Sequence, residues 1–179
     1  MKKTPFLLDY YRMTGKQNRK TLLIDFLSRH NVRWAFYYRR YQAGHRLSKI
    51  ALYLLSRKYG IEVSNTAQIG QGIYLGHPYN ITIGSNVVIG DNVNLHKGCT
   101  IGSIMSGRRA GSPVIGNCVF VGINATVVGG ITIGDDVMIA PNAFVNFDVP
   151  SHSVVVGNPG IIHSKPDATK IILFSEFSW

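Results

Sequence analysis

From Ile83 to Thr100 the chain reads IGSNVV, IGDNVN, LHKGCT, three six-residue units each led by an aliphatic residue. The same frame extends outward in both directions. Upstream it takes in VSNTAQ, IGQGIY and LGHPYNIT from Val63; downstream it continues through IGSIMSGRRAGSPV, IGNCVF, VGINAT, VVGGIT, IGDDVM, IAPNAF and VNFDVP to Pro150. All thirteen units begin with Val, Ile or Leu, eight have Gly second, and the fifth position is mostly Val, Ile, Ala or Cys. A six-residue period supplies one short strand and one tight corner, with an aliphatic side chain turned inward and Gly admitting backbone conformations that other residues resist. One unit buries little by itself. Stacked coils bury a continuous aliphatic column and pair each strand with the coils above and below. The expected fold is an all-β core wound as a parallel β-solenoid from Val63 to about Val156.

Two units break the count. LGHPYNIT carries two extra residues and IGSIMSGRRAGSPV carries eight, and residues added to a solenoid must leave its wall as loops. Loops on a rigid scaffold are where sites are usually built. The first holds His77, the second Arg108 and Arg109.

Upstream of the repeat the period changes. Residues 20 to 58 have a helical pattern, with Leu47, Ile50, Ala51, Leu54 and Leu55 recurring at i, i+3, i+4, i+7 and i+8, and Gly60 closes the last helix. Charge divides the chain at the same place. Residues 1 to 60 hold 14 Lys or Arg against Asp9 and Asp25, a balance of +12, while the remainder holds 5 basic and 7 acidic residues. The expected organisation is a basic α-helical region over 1–60, the solenoid over 61–160, and a tail over 161–179. A basic, aromatic stretch such as NVRWAFYYRRYQAGHR has two readings. One is peripheral contact with a membrane surface or an anionic glycan. The other, which is preferred, is a helical cap whose aromatics pack on the first coil or between subunits while its arginines stay solvated. Nucleic acid is not expected, because no recognised binding module accompanies the charge.

Only Cys99 and Cys118 are present, and Cys99 falls on an inward position, so a disulfide framework is not expected and a reducing, cytoplasmic setting fits. MKKTPFLLDYYR has too short an apolar run for a signal peptide, and no stretch approaches the roughly 18 apolar residues of a membrane span.

With these motifs in place, the chain from about Gly60 to Pro166 resembles the hexapeptide-repeat acyltransferases, within them the serine acetyltransferase-like branch, because both interruptions fall at the same repeats with the same lengths. The resemblance implies a left-handed parallel β-helix, a helical N-terminal region, a homotrimer and acetyl-CoA as donor, with no metal. It places His77 at the family's catalytic base and Glu62 at the carboxylate that pairs with it. VPSHSVVVGNPGIIHSKP resembles the family's closing segment, making Lys165 a candidate for the coenzyme's phosphates. Gly102, Gly122, Ala140 and Pro141 are further candidates for lining the coenzyme, with Arg108 and Arg109 for gripping its phosphate or an acidic glycan. Tyr79, His96 and Lys97 are candidates for the acceptor side. The apolar tail KIILFSEFSW is expected to dock on its own trimer.

Three departures accompany these matches. Serine acetyltransferases have Asp immediately before the base, where this chain has Gly76, and an Arg-His pair in the long loop, where it has Gly111 and Ser112. With the groups for an amino acid's ammonium and carboxylate absent, and with LHKG and PSHSVVVGNP resembling capsule and lipopolysaccharide O-acetyltransferases, the expected acceptor is a sugar hydroxyl. Serine O-acetylation for cysteine synthesis is the alternative. A zinc hydratase on the same solenoid needs three convergent histidines, typically with an H-x4-H pair that this sequence lacks, and a non-catalytic trimeric scaffold is the remaining reading.

Overall fold

The computed structural model of the chain describes residues 4–170. Four helices come first, α1 (Pro5–Thr14), α2 (Arg19–Ser28), α3 (His30–Gln42) and α4 (Ser48–Tyr59). The chain then winds through coils of up to three short strands. The first coil holds β1 (Glu62–Val63), β2 (Gln68–Ile69) and β3 (Tyr74–Gly76); the second β4 (Thr82–Ile83), β5 (Val88–Ile89) and β6 (Asn94–His96). The third holds β7 (Thr100–Gly102), β8 (Val114–Ile115) and β9 (Phe120–Val121); the fourth β10 (Thr126–Val128), β11 (Thr132–Ile133) and β12 (Val137–Ile139). The fifth has β13 (Phe144–Val145) and β14 (Ser153–Val156), after which β15 (Ile161–Ser164) turns back antiparallel on β14. Strands at equivalent places stack in parallel into three sheets: sheet A (β1, β4, β7, β10, β13), sheet B (β2, β5, β8, β11) and sheet C (β3, β6, β9, β12, β14, β15). Three sheets and three corners make a triangular prism.

Twelve of the thirteen unit-leading aliphatics are buried, and Val63, at the start of the stack, is half-buried. Fifth-position residues such as Val87, Val93, Cys99 and Val119 complete the column. The second-position glycines have a different cause from the one expected. Gly70, Gly90 and Gly116 do not have positive φ; a Cβ on Gly90 would lie 2.7 Å from the Gly116 carbonyl oxygen, so these positions are Gly because the coils stack backbone on backbone. The left-handed conformation belongs to the fourth position, where Asn86, Asn92, Asn124 and Asn142 have φ of 56 to 61° and supply the side-chain type that tolerates it. Side chains at the corner between sheets B and C build a ladder. Asp91 accepts from the Gln71 N–H at 2.8 Å, Asn117 from the Asp91 N–H at 2.8 Å, and Ser151 from the Asp135 N–H at 2.9 Å.

The helices sit on the first coil. α1 lies upstream of the expected helical segment, and its signals are local: Thr4 caps it, Pro5 opens it and Gly15 closes it at φ 70°. Its Asp9, fully buried, accepts from Arg39 Nε at 2.7 Å and from the Ile73 N–H at 3.0 Å. Arg39 also donates to the carbonyls of Ile69 and Gly70, and Arg12 donates to the Gly72 carbonyl and to Asn94 Oδ1. Burial pushes the Asp9 carboxyl up, against the pull of Arg39 and the backbone N–H groups, and pulls the Arg12 guanidinium down to about 10. Trp34 and Tyr38 stack at 4.8 Å and join the same core as Ile61 and Ile69. The aromatics thus pack on the first coil as expected, but Arg39 of that stretch is not solvated; with Arg12 of α1 it satisfies backbone carbonyls of the first coil, which have no coil beneath them.

Only part of the stripe around α4 faces this core, where Leu55 packs against it and Ala51 is half-buried. Leu47, Ile50 and Leu54 are 81%, 60% and 60% exposed, and Leu23, Ile24 and Leu27 on α2 are as open. Among the described residues no helix is long and apolar enough to cross a membrane. The docking expected of KIILFSEFSW lies outside the described residues beyond Lys170.

Candidate active site

The two-residue insertion leaves the wall at the corner between sheets C and A. His77 and Asn80 take left-handed backbone angles of 48° and 54°, with Pro78 buried between an exposed His77 and an exposed Tyr79. The loop is held from both sides. Below, the Asn80 N–H donates to the Tyr59 carbonyl at 3.0 Å, and His30 Nε2 donates to the Pro78 carbonyl at 3.2 Å. The His30 ring stacks on Tyr59 at 4.1 Å and tilts against Tyr79 at 5.0 Å. Above, the Gly98 N–H donates to the Tyr79 carbonyl at 2.9 Å and the Lys97 N–H to the Gly76 carbonyl at 3.0 Å. The His77 imidazole makes no hydrogen bond with another described residue and projects from a backbone fixed by α3, the end of α4 and the second coil.

Directly over Gly76 in the β3–β6 register stands His96, half-buried. Its ring packs against Phe120 at 4.7 Å and Tyr74 at 6.1 Å. Burial, with a smaller contribution from nearby His77, holds its pKa below the ordinary value. The column continues upward, because the β6–β9 and β9–β12 registers set Gly122 over His96 and Ala140 over Gly122. A Cβ on Gly122 would lie 2.6 Å from the Pro141 nitrogen, which accounts for that glycine structurally. One corner therefore gathers His77, Tyr79, His96, Lys97, Gly122, Ala140 and Pro141 over about 14 Å of stacked coils, at about 4.8 Å per coil.

The other expected residues lie elsewhere in the protomer. Glu62 opens β1 beside Thr82 and lines a cleft of about 420 Å³ between sheet A and helices α3 and α4, with Trp34, Tyr38, Lys49, Tyr53 and Ser85 among its walls. It makes no hydrogen bond to His77. Gly102 and the loop with Arg108 and Arg109 lie at the corner between sheets A and B. That loop closes on itself through the Ile104–Gly111 bridge, its Ser112 hydroxyl donates to the Ser85 carbonyl at 2.7 Å, and Arg109 pairs with Asp148 at 3.0 Å. Lys165 follows β15 to the third corner, where its N–H donates to the His152 carbonyl. The expected site residues are thus distributed over three corners, and only the His77 column is assembled within one chain.

Cys99 is fully buried, and burial pushes its thiol up to about 12, so it is no nucleophile. Sequence reasoning missed His30 and Tyr59, whose contact with the loop spans 48 residues for His30 and leaves no mark in any local pattern. Gly76, by contrast, was visible as a departure.

Residues 112–146 match the family model described as bacterial transferase hexapeptide (six repeats). A serine acetyltransferase of Helicobacter pylori is 36% identical over 126 residues, covering 66% of this chain and 74% of that protein. Serine acetyltransferase 4 of Arabidopsis thaliana is 40% identical over 129 residues, but only 36% of its length is covered. Among solved structures, serine acetyltransferase from Neisseria gonorrhoeae superposes with a TM-score of 0.66 at 27% identity, over 92% of this chain and 65% of that one. The chain belongs to the hexapeptide-repeat acyltransferase family, and its solenoid is the left-handed β-helix of that family. These relatives overturn the saccharide acceptor, the polysaccharide function and the kinship with capsule and lipopolysaccharide enzymes, because the matching proteins are serine acetyltransferases. These relatives do not support reading Gly76, Gly111 and Ser112 as the mark of a sugar acceptor.

Proposed function

We propose that this acetyl-CoA-dependent O-acyltransferase acetylates the side-chain hydroxyl of serine, giving O-acetylserine and free coenzyme A. The observation that carries this reading is the 36% identity with the Helicobacter pylori serine acetyltransferase over 74% of that protein's length. The site supports it chemically. His77, exposed on a pinned loop, takes the hydroxyl proton as the serine oxygen attacks the thioester carbonyl; the C–O bond forms, the C–S bond breaks, and the imidazolium returns the proton to the departing thiolate. The carboxylate role expected of Glu62 is left out of this reading, because Glu62 lines the cleft beside sheet A and makes no hydrogen bond to His77; the buried Cys99 supports direct transfer over an acetyl-enzyme.

Assembly completes the site in this reading. Because Gly102, Arg108, Arg109 and Lys165 lie on other corners than His77, a coenzyme bound along the His77 column meets them only from a neighbouring subunit of a homotrimer. Ala140, Pro141 and Gly122 line its arm on the column itself.

The test is thiol release from acetyl-CoA by the purified protein with and without L-serine. Serine-dependent release is expected, and its absence overturns the acceptor. His77→Ala should lower kcat by about 10²- to 10⁴-fold; normal turnover in that variant removes the base assignment.

A further inference from the structure

The space beside the base is filled in an unusual way. Gly76 immediately precedes His77, and a Cβ built on it would lie 2.6, 2.7 and 2.9 Å from three atoms of the His96 ring. No residue other than glycine fits under that imidazole without moving it. Phe120 and Tyr74 flank the ring, so Gly76, Tyr74 and Phe120 together form a seat. The seated ring is half-buried, its two nitrogens have no hydrogen-bond partner among the described residues, and it stands one coil above the base on the same corner. A neutral imidazole offers one N–H and one lone pair. With no acidic side chain at position 76, this ring is the polar group that stands directly over that position.

We infer that His96, seated on Gly76, is the acceptor-side specificity residue, its ring lone pair accepting a hydrogen bond from the ammonium of the acceptor amino acid while His77 acts on the hydroxyl. This rests on serine as the acceptor. Burial keeps His96 neutral to a lower pH than an ordinary histidine, which preserves the lone pair and avoids a cation facing the ammonium.

The experiment is steady-state kinetics of His96→Leu, His96→Asn and Gly76→Ala with both substrates varied. His96→Leu should raise the KM for L-serine at least tenfold, with kcat and the KM for acetyl-CoA within about twofold, and Asn should recover part of the loss. Gly76→Ala should reproduce the serine KM effect at unchanged thermal stability, since it displaces the ring without removing it. In the unchanged protein the serine KM should rise as pH falls and His96 gains its proton, and this limb should vanish in His96→Asn; a merely structural residue produces no such limb. The seat is read with no acceptor present from ¹H–¹⁵N histidine spectra, where Gly76→Ala must move the His96 ring signals. An unchanged serine KM in His96→Leu, or equal rises in both KM values, overturns the inference. Serine turnover by the unchanged protein tests the function separately: if another hydroxyl compound is the one used, the same kinetics are run with it, and an acceptor that carries no ammonium also overturns the role of His96.

Discussion

The solenoid and the helices that precede it follow periodic patterns of equal clarity and meet opposite fates. In the solenoid, the aliphatic at the head of each unit is buried in every coil after the first position. In the stripe around α4, Leu55 packs on the core, but Ile50, Leu54 and Leu47, which immediately precedes the helix, keep helical spacing and remain at least 60% exposed. The difference lies in where the partner is. A coil packs against the next coil, which the same sequence supplies a fixed number of residues later, whereas a helix stripe states only that some apolar partner exists. Periodicity therefore fixes burial in a repeat and leaves it open in an isolated element.

The comparison breaks most severely at the joint between the regions. Asp9→Ala strands the Arg39 guanidinium and the Ile73 N–H without their buried partner, and is expected to cost about 3–5 kcal/mol in urea unfolding. Removing Arg39 as well should cost much less than the sum of the single changes, which a double-mutant cycle reads directly. Within the solenoid, Leu95→Ala opens a void in the column with neighbours above and below, for an expected loss of about 2–5 kcal/mol. At the far end the attachment is electrostatic and responds to pH. Burial raises the Asp136 pKa, but hydrogen bonds from Thr169 and His152 and from the N–H groups of Thr169 and Ala168 outweigh it, so the carboxyl is held below its usual range. A lowered folded value stabilises above the unfolded pKa, about 3.9, and that stability is lost as pH falls through the folded one. Unfolding measured from about pH 6 down to about pH 3 should show this loss, and Asp136→Ala should lack it. The smallest effect belongs to the exposed stripe. Leu54→Gln should change protomer stability by no more than about 0.5 kcal/mol, and a larger loss measured only above the concentration at which subunits associate would locate the missing partner.

Most of the solenoid was legible because each rule is stated many times over. The register, the two loop positions and the burial of Cys99 all follow from counting six from Ile83. What counting missed is the reason for the glycines: the second position is small for coil contact and the fourth carries the left-handed turn, a distinction that lies in φ and not in residue type. The site was legible only as a corner. His77 was found from the interruption that carries it, while His30, which donates to the Pro78 carbonyl, comes from a helix whose contacts no periodicity encodes. Gly76 was read as the loss of a carboxylate; the structure shows that its vacancy is occupied by the His96 ring. A residue's absence was visible in one dimension, and its replacement one coil away was not.

The Asp9, Arg12 and Arg39 contacts also decide how long the molecule is. A stack of similar rungs has no natural length, since each terminal rung offers an unpaired edge on which another chain can continue the ladder. Here the bottom rung gives the carbonyls of Ile69, Gly70 and Gly72 and the Ile73 N–H to side chains of the helices, and the top rung is closed by a strand running the wrong way for continuation. The bonds that seat the helices terminate growth at the bottom and β15 does so over sheet C at the top, and together they keep a fibre-forming geometry as a discrete enzyme.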